Sequence, residues 1–162
     1  MRIGKLNIQI ALTRKDALVV ALWTTAISLI MIKTYTTFYY EDPLGDKFMS
    51  VYATPTLGVL DMLILVSMSI VVTIALSDIS QIVYGFAGSL ILSFIVAVTY
   101  ASLFIWFVMG AERLFSQYAY DWEWVVYAGF WKMFFVMVPW VIGTSAIGLV
   151  IGIIVRGWMM AA

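Results

Sequence analysis

The chain has 162 residues, of which 64% are hydrophobic and 11% charged, and its mean hydropathy is +1.04. Soluble domains carry about 45–50% apolar and about 25% charged residues, and one this small has too much surface to hide such an excess. Nine basic residues balance nine acidic ones, which removes the electrostatic reason for a nucleic-acid partner. Cysteine and histidine are absent, which excludes disulfides, thiolate nucleophiles, histidine-dependent triads, the usual zinc sites and histidine-ligated haem or copper.

Read in chain order, the sequence predicts an all-α integral membrane protein, a single domain over residues 1–162 built as a four-transmembrane-helix bundle. The expected spans are 17–35, 55–76, 82–109 and 133–155. At about 1.5 Å rise per residue, stretches of roughly 20 to 28 residues cover roughly 30–42 Å, enough for the hydrocarbon core with some tilt. The first apolar run is long for a signal peptide and has no A-x-A cleavage pattern after it, so it reads as a retained helix.

Thr54-Pro55 reads as a cap followed by a first-turn proline opening the second span. Ser77-Asp78-Ile79-Ser80 separates spans two and three by so little that a helical hairpin is expected, with Asp78 or Ser80 capping the third helix. An even number of spans puts Arg2, Lys5, Arg14, Lys15 and Arg156 on one side. The basic cluster before the first span makes that side cytoplasmic, with both termini inside. The expected location is the plasma membrane.

Aromatic rings crowd the two expected outer loops, residues 35–53 and 112–131. Amphipathic rings favour the headgroup level, so these loops are expected on the membrane surface, with part of 121–131 an interfacial helix leading into the last span. An aromatic belt explains them; a docking surface for another subunit is the competing reading.

Two helices carry small-residue stripes. Gly85, Ser89, Ser93, Ala97 and Ala101 recur every fourth residue in the third span, and Thr144, Gly148 and Gly152 do so in the fourth, including a GxxxG pair. Small side chains let backbones approach closely in lipid, within the chain or against another subunit. Pro139 falls within the fourth span, where its missing N–H and ring clash predict a kink.

Ionisable residues inside a span are suspects for function. Asp61 and Lys132 are the candidates, both toward the outer leaflet, where they are expected to form an intramembrane charge pair. Below Asp61 the second span offers only Ser67, Ser69 and Thr73, a thin path for protons or ions. No HExxH or GxxxxGK[ST] motif is present, and the acidic cluster Glu41, Asp42 and Asp46 beside Pro43 and Gly45 reads as a solvated turn. Scattered methionines read as core filler rather than ligands of a soft metal. No catalytic residue, cofactor or metal site is therefore expected. The expected partners are the lipid bilayer and other membrane subunits, and the expected role is a non-catalytic accessory subunit of a larger membrane complex, respiratory, oxidoreductase or transport. A small transporter or channel is the alternative, and a membrane-embedded enzyme using the outer-loop carboxylates a more distant one.

Overall fold

The computed structural model describes residues 14–41, 53–108 and 121–161. These residues are 92% helical, and no strand occurs among them. The elements are α1 (Arg14–Tyr40), α2 (Val59–Ala75), α3 (Ile79–Leu103) running into a π segment (Phe104–Val108), α4 (Asp121–Val136), a second π segment (Met137–Ile142) and α5 (Gly143–Ala161). Three continuous helical runs, Arg14–Tyr40, Ile79–Val108 and Val125–Ala161, are long and apolar enough to cross a membrane. The fourth apolar helix, α2, has 17 residues, about 26 Å of rise, just short of a hydrocarbon core of about 30 Å.

Beside an apolar core that includes Trp23, Ile27, Met31 and Leu65, the bundle buries hydroxyls and exposes aliphatic side chains. Thr24, Ser28, Ser69, Thr73, Ser89, Ser93 and Ser145 are buried, while Leu18, Leu22, Leu63, Val71, Ile91, Ile95 and Val150 are exposed. Hydroxyls inside can bond to helix backbones, and aliphatic side chains outside suit a hydrocarbon solvent.

Three boundaries differ from the sequence reading. Residues 35–40 belong to α1 and not to a surface loop. Tyr35 is fully buried, and both its ring and that of Tyr39 meet Phe104 edge-on, at 5.8 and 5.0 Å. At the start of α2, Pro55 is buried but lies outside the helix, which begins after the N-cap Gly58 (φ −69°, ψ 153°). That late start leaves Asp61 in the first turn, where the helix dipole favours a carboxylate, instead of deeper in an apolar span. Third, helix continues from Asp121 through Lys132 without a break, so 121–131 is the first part of the last long helix.

Helix α1 is the hub. It packs on α3, on α2 and more lightly on α4, while α4 packs on α3 and α5 packs heavily on α2. The expected hairpin is only a covalent one, because α2 and α3 lean on α1 far more than on each other. Between them, Asp78 caps α3 by accepting from the Ile79 amide at 2.7 Å and from the Ser80 hydroxyl at 3.0 Å. The last long helix changes neighbours along its length, with α4 against α3 and α5 against α2. That crossover occurs at the π segment that holds Pro139. An i→i+5 turn is a common way to absorb a residue that cannot donate to the α-helical ladder.

Close approach explains both main contacts. A Cβ on Gly85 would stand 2.9 Å from a Val20 methyl. Further along the same face, the Ser89 and Thr24 hydroxyls are 3.1 Å apart, and Ser93 donates to the Thr24 carbonyl at 3.0 Å. Ala97 and Ala101 continue this buried face. On α5, a Cβ on Gly148 would lie 2.5 Å from the Val66 carbonyl oxygen, and one on Gly152 would lie 2.7 Å from the Thr73 Cβ.

Candidate functional site

The charged side chains gather at the two ends of the bundle. At one end, Asp16 in the first turn of α1 is fully buried. Its carboxylate accepts from the Ser77 hydroxyl at 3.1 Å and the Ser77 amide at 3.3 Å. Arg156 of α5 reaches the same place and donates to the Leu76 and Ser77 carbonyls at 2.9 and 2.7 Å, with a longer contact to Thr73 at 3.4 Å. A guanidinium there satisfies the carbonyls that α2 leaves unpaired at its C-terminus and sits at the negative end of its dipole. The start of α1, the α2–α3 link and the later part of α5 therefore share one end.

The other end holds the more open site. Lys33, near the end of α1, donates to both carboxylate oxygens of Asp61 at 2.7 and 3.0 Å. The sequence-based expectation paired Asp61 with Lys132. Instead, the cation on Asp61 is Lys33, while Lys132 donates to the Ala53 carbonyl and lies 5.3 Å from the centre of the Phe38 ring. The reason is the position of Asp61 itself. A first-turn carboxylate on α2 faces the neighbouring α1, whereas Lys132 reaches the Ala53 carbonyl in the non-helical segment leading into α2.

Around this ion pair is a cleft of about 380 Å³ lined by Lys33, Thr34, Thr37, Phe38, Glu41, Thr56, Leu57, Gly58 and Asp61. One wall is the last turns of α1 and the other is the extended approach to α2 together with its first turn. Residues 56–58, which are not helical, line this polar cleft. Asp61 is nearly buried, while 58% of the Lys33 side chain is exposed. Thr34, on the cleft wall, is buried with an unbonded hydroxyl.

The other residues singled out in the sequence are placed as follows. Thr144 is half-buried and donates to the Trp140 carbonyl at 2.6 Å, meeting an acceptor at the exit of the π segment. Glu41 stands at the cleft, and Asp42 and Asp46 lie outside the described residues, as do the rest of 42–52 in the first expected outer loop and 112–120 in the second. Among the described residues no group of three or more acidic, histidine or cysteine side chains is placed to hold a metal.

Sequence reasoning missed the roles of Asp16, Lys33 and Arg156. The available signal was their position: each is a charge bordering an apolar run, where a neighbouring helix terminus can offer a partner. Comparison with known proteins finds no matching family model, no matching curated protein and no matching solved structure.

Proposed function

We propose that this chain is a non-catalytic accessory subunit of a larger membrane protein complex, of respiratory, oxidoreductase or transport type. In this reading it lies in the plasma membrane, crosses it four times and keeps both termini cytoplasmic. The observation that carries the proposal is how its charges are used. Asp16, Lys33, Asp61, Lys132 and Arg156 each hold a helix end or a connecting segment. Between the two ends, the described residues of the bundle interior offer hydroxyls, not a ladder of acidic and basic stations, which suits a scaffold better than a relay.

The fourth crossing follows if the buried Pro55 and Leu57 complete the depth that α2 alone does not reach. Arg14, Lys15 and Arg156 fall at the shared end, in keeping with a cytoplasmic face. The Gly148 and Gly152 contacts are the GxxxG packing that assembles α5 on α2. A partner has an aromatic surface to meet on α4, where Tyr127, Phe130, Trp131 and Phe135 are exposed and the Trp131 ring touches the other three.

Native mass spectrometry after mild extraction from the source membrane tests the proposal. A companion polypeptide at fixed stoichiometry is expected, and a solitary monomer both in detergent and in lipid nanodiscs refutes it. The transporter reading draws on the polar cleft and on the π segment around Pro139. Flux in proteoliposomes that falls on Asp61→Asn would favour it over the subunit role.

A further inference from the structure

We propose that the start of α4 seats a companion subunit's helix at the point where an arginine borders that helix's apolar span. The guanidinium pairs with Glu123 and lies against the Tyr127 ring. The inference rests on the subunit reading and specifies its interface.

The level of this face in the membrane sets the kind of partner. Lys132 and Arg156 lie 24 residues apart on the last long helix, about 36 Å of rise, against a hydrocarbon core of about 30 Å. Arg156 sits with Asp16 and Ser77 at one polar end, so the turns before Lys132 stand at headgroup level and beyond at the other. Along the axis Tyr127 is about 8 Å outside Lys132, and Glu123 about 14 Å. Acyl chains do not reach that far, yet Val126, Tyr127 and Phe130 are exposed there, with 62% of Tyr127 uncovered. Tyrosine is at home among headgroups, but Val126 and Phe130 have no polar tip to offer them. Apolar surface beyond the lipid tails calls for a protein cover.

Charge sets the chemistry of that cover. Lys33 is engaged with Asp61, and Lys132 with the Ala53 carbonyl. Glu123 is exposed and has no hydrogen-bond or ion-pair partner among the described residues. It lines a groove of about 410 Å³ with Val126, Tyr127 and Phe130, so a carboxylate stands at the edge of an otherwise apolar trough. A cation that also stacks on rings answers both. Guanidinium is planar, weakly hydrated and forks onto a carboxylate, whereas an ammonium is a strongly hydrated point charge. The rings are fixed in place: Trp131 meets Phe130 at 90° and Tyr127 at 71°, and Phe94 of α3 braces Phe130 edge-on at 5.3 Å. A phospholipid fits less well, because its phosphate would lie beside Glu123 with no basic side chain lining the groove.

The test expresses full-chain variants in the source membrane and follows companion retention by native mass spectrometry after mild extraction. Glu123→Gln is expected to lower retention about tenfold and Glu123→Arg to abolish it, both with the parent Tm, since Glu123 is exposed. Leu63→Ala, on the exposed face of α2, keeps the companion. A photoreactive benzoylphenylalanine in place of Val126 should crosslink to a companion peptide that carries an arginine within a turn of an apolar run. Exchanging that arginine for glutamate should restore the complex of the Glu123→Arg chain. Wild-type retention by Glu123→Arg, crosslinks to lipid alone, or a crosslinked peptide without arginine overturns the proposal and leaves the subunit reading standing. A wild-type chain that carries no companion refutes the subunit reading and this interface with it.

Discussion

Replacing Gly148 by alanine adds one methyl group where α5 meets α2, and the structure sets the cost. The new carbon would stand 2.5 Å from the Val66 carbonyl oxygen, 2.7 Å from the Ser69 Cβ and 3.0 Å from the Val66 Cα. Two of these atoms are backbone, so no rotamer change relieves the contact and the helices must separate by close to 1 Å. A gap of about 0.5–1 Å forfeits a quarter to a half of each dispersion contact along the seam, and overpacking of this kind costs about 1–3 kcal/mol. Alanine also gains about 1 kcal/mol of helix propensity over glycine, which hides part of the loss. Gly157→Ala on the same helix is the control, because a Cβ there meets nothing within 4 Å. Both variants share the propensity gain, so their difference isolates the packing cost, about 1–3 kcal/mol. Unfolding of the full chain by SDS titration in mixed micelles, followed by tryptophan fluorescence, measures it. If the two alanine variants agree within about 0.5 kcal/mol, the close approach of α5 to α2 is not what the geometry says it is.

Lys33→Met leaves the nearly buried Asp61 carboxylate without its cation. Because Lys33 is itself largely exposed, a loss of about 1–2 kcal/mol is expected, and adding Asp61→Leu should recover most of it in the same titration. Arg156→Gln removes the donors that close the C-terminus of α2, at about 1–2 kcal/mol. Hydrogen exchange should then quicken in the last turn of α2 and not in α3; uniform quickening would count against a local capping role. Ser93→Leu puts a branched side chain against the Thr24 carbonyl and should lower stability by about 2–3 kcal/mol. A variant that keeps the parent thermal stability would show that this face of α3 does not pack on α1.

Helicity and the apolar runs were legible because they rest on composition and continuity, which a single segment carries. Tyr35 and Tyr39 misled because an aromatic ring that anchors to a headgroup and one that packs on Phe104 look alike in sequence. Thr54-Pro55 misled for a similar reason. A capping residue and a proline make a good local start signal, but the first-turn preference of Asp61 and the extended backbone of Gly58 set the start after Gly58. The cleft was half legible. Asp61 stood out as a charge in an apolar run, whereas its cation depended on which helix lies beside α2. That neighbour is α1, and no spacing rule connects residues 33 and 61. Lys132 donates to a backbone carbonyl, that of Ala53, a group that every residue carries and no sequence pattern marks.

The placement of α1 between α2 and α3 has a consequence for biogenesis. As the chain leaves the ribosome, α2 can settle on α1, with Lys33 ready for Asp61, but the side bearing Ser69 and Thr73 stays uncovered until α5 is made. Synthesis therefore passes through a stage in which hydroxyls and a glycine-sized groove on α2 face lipid or an insertion chaperone. Arg156, made after the glycine face of α5, closes that stage by fastening α5 to the α2–α3 link. A nascent chain halted before Gly143 should thus remain a substrate for membrane quality-control proteases, however well its first three helices have inserted.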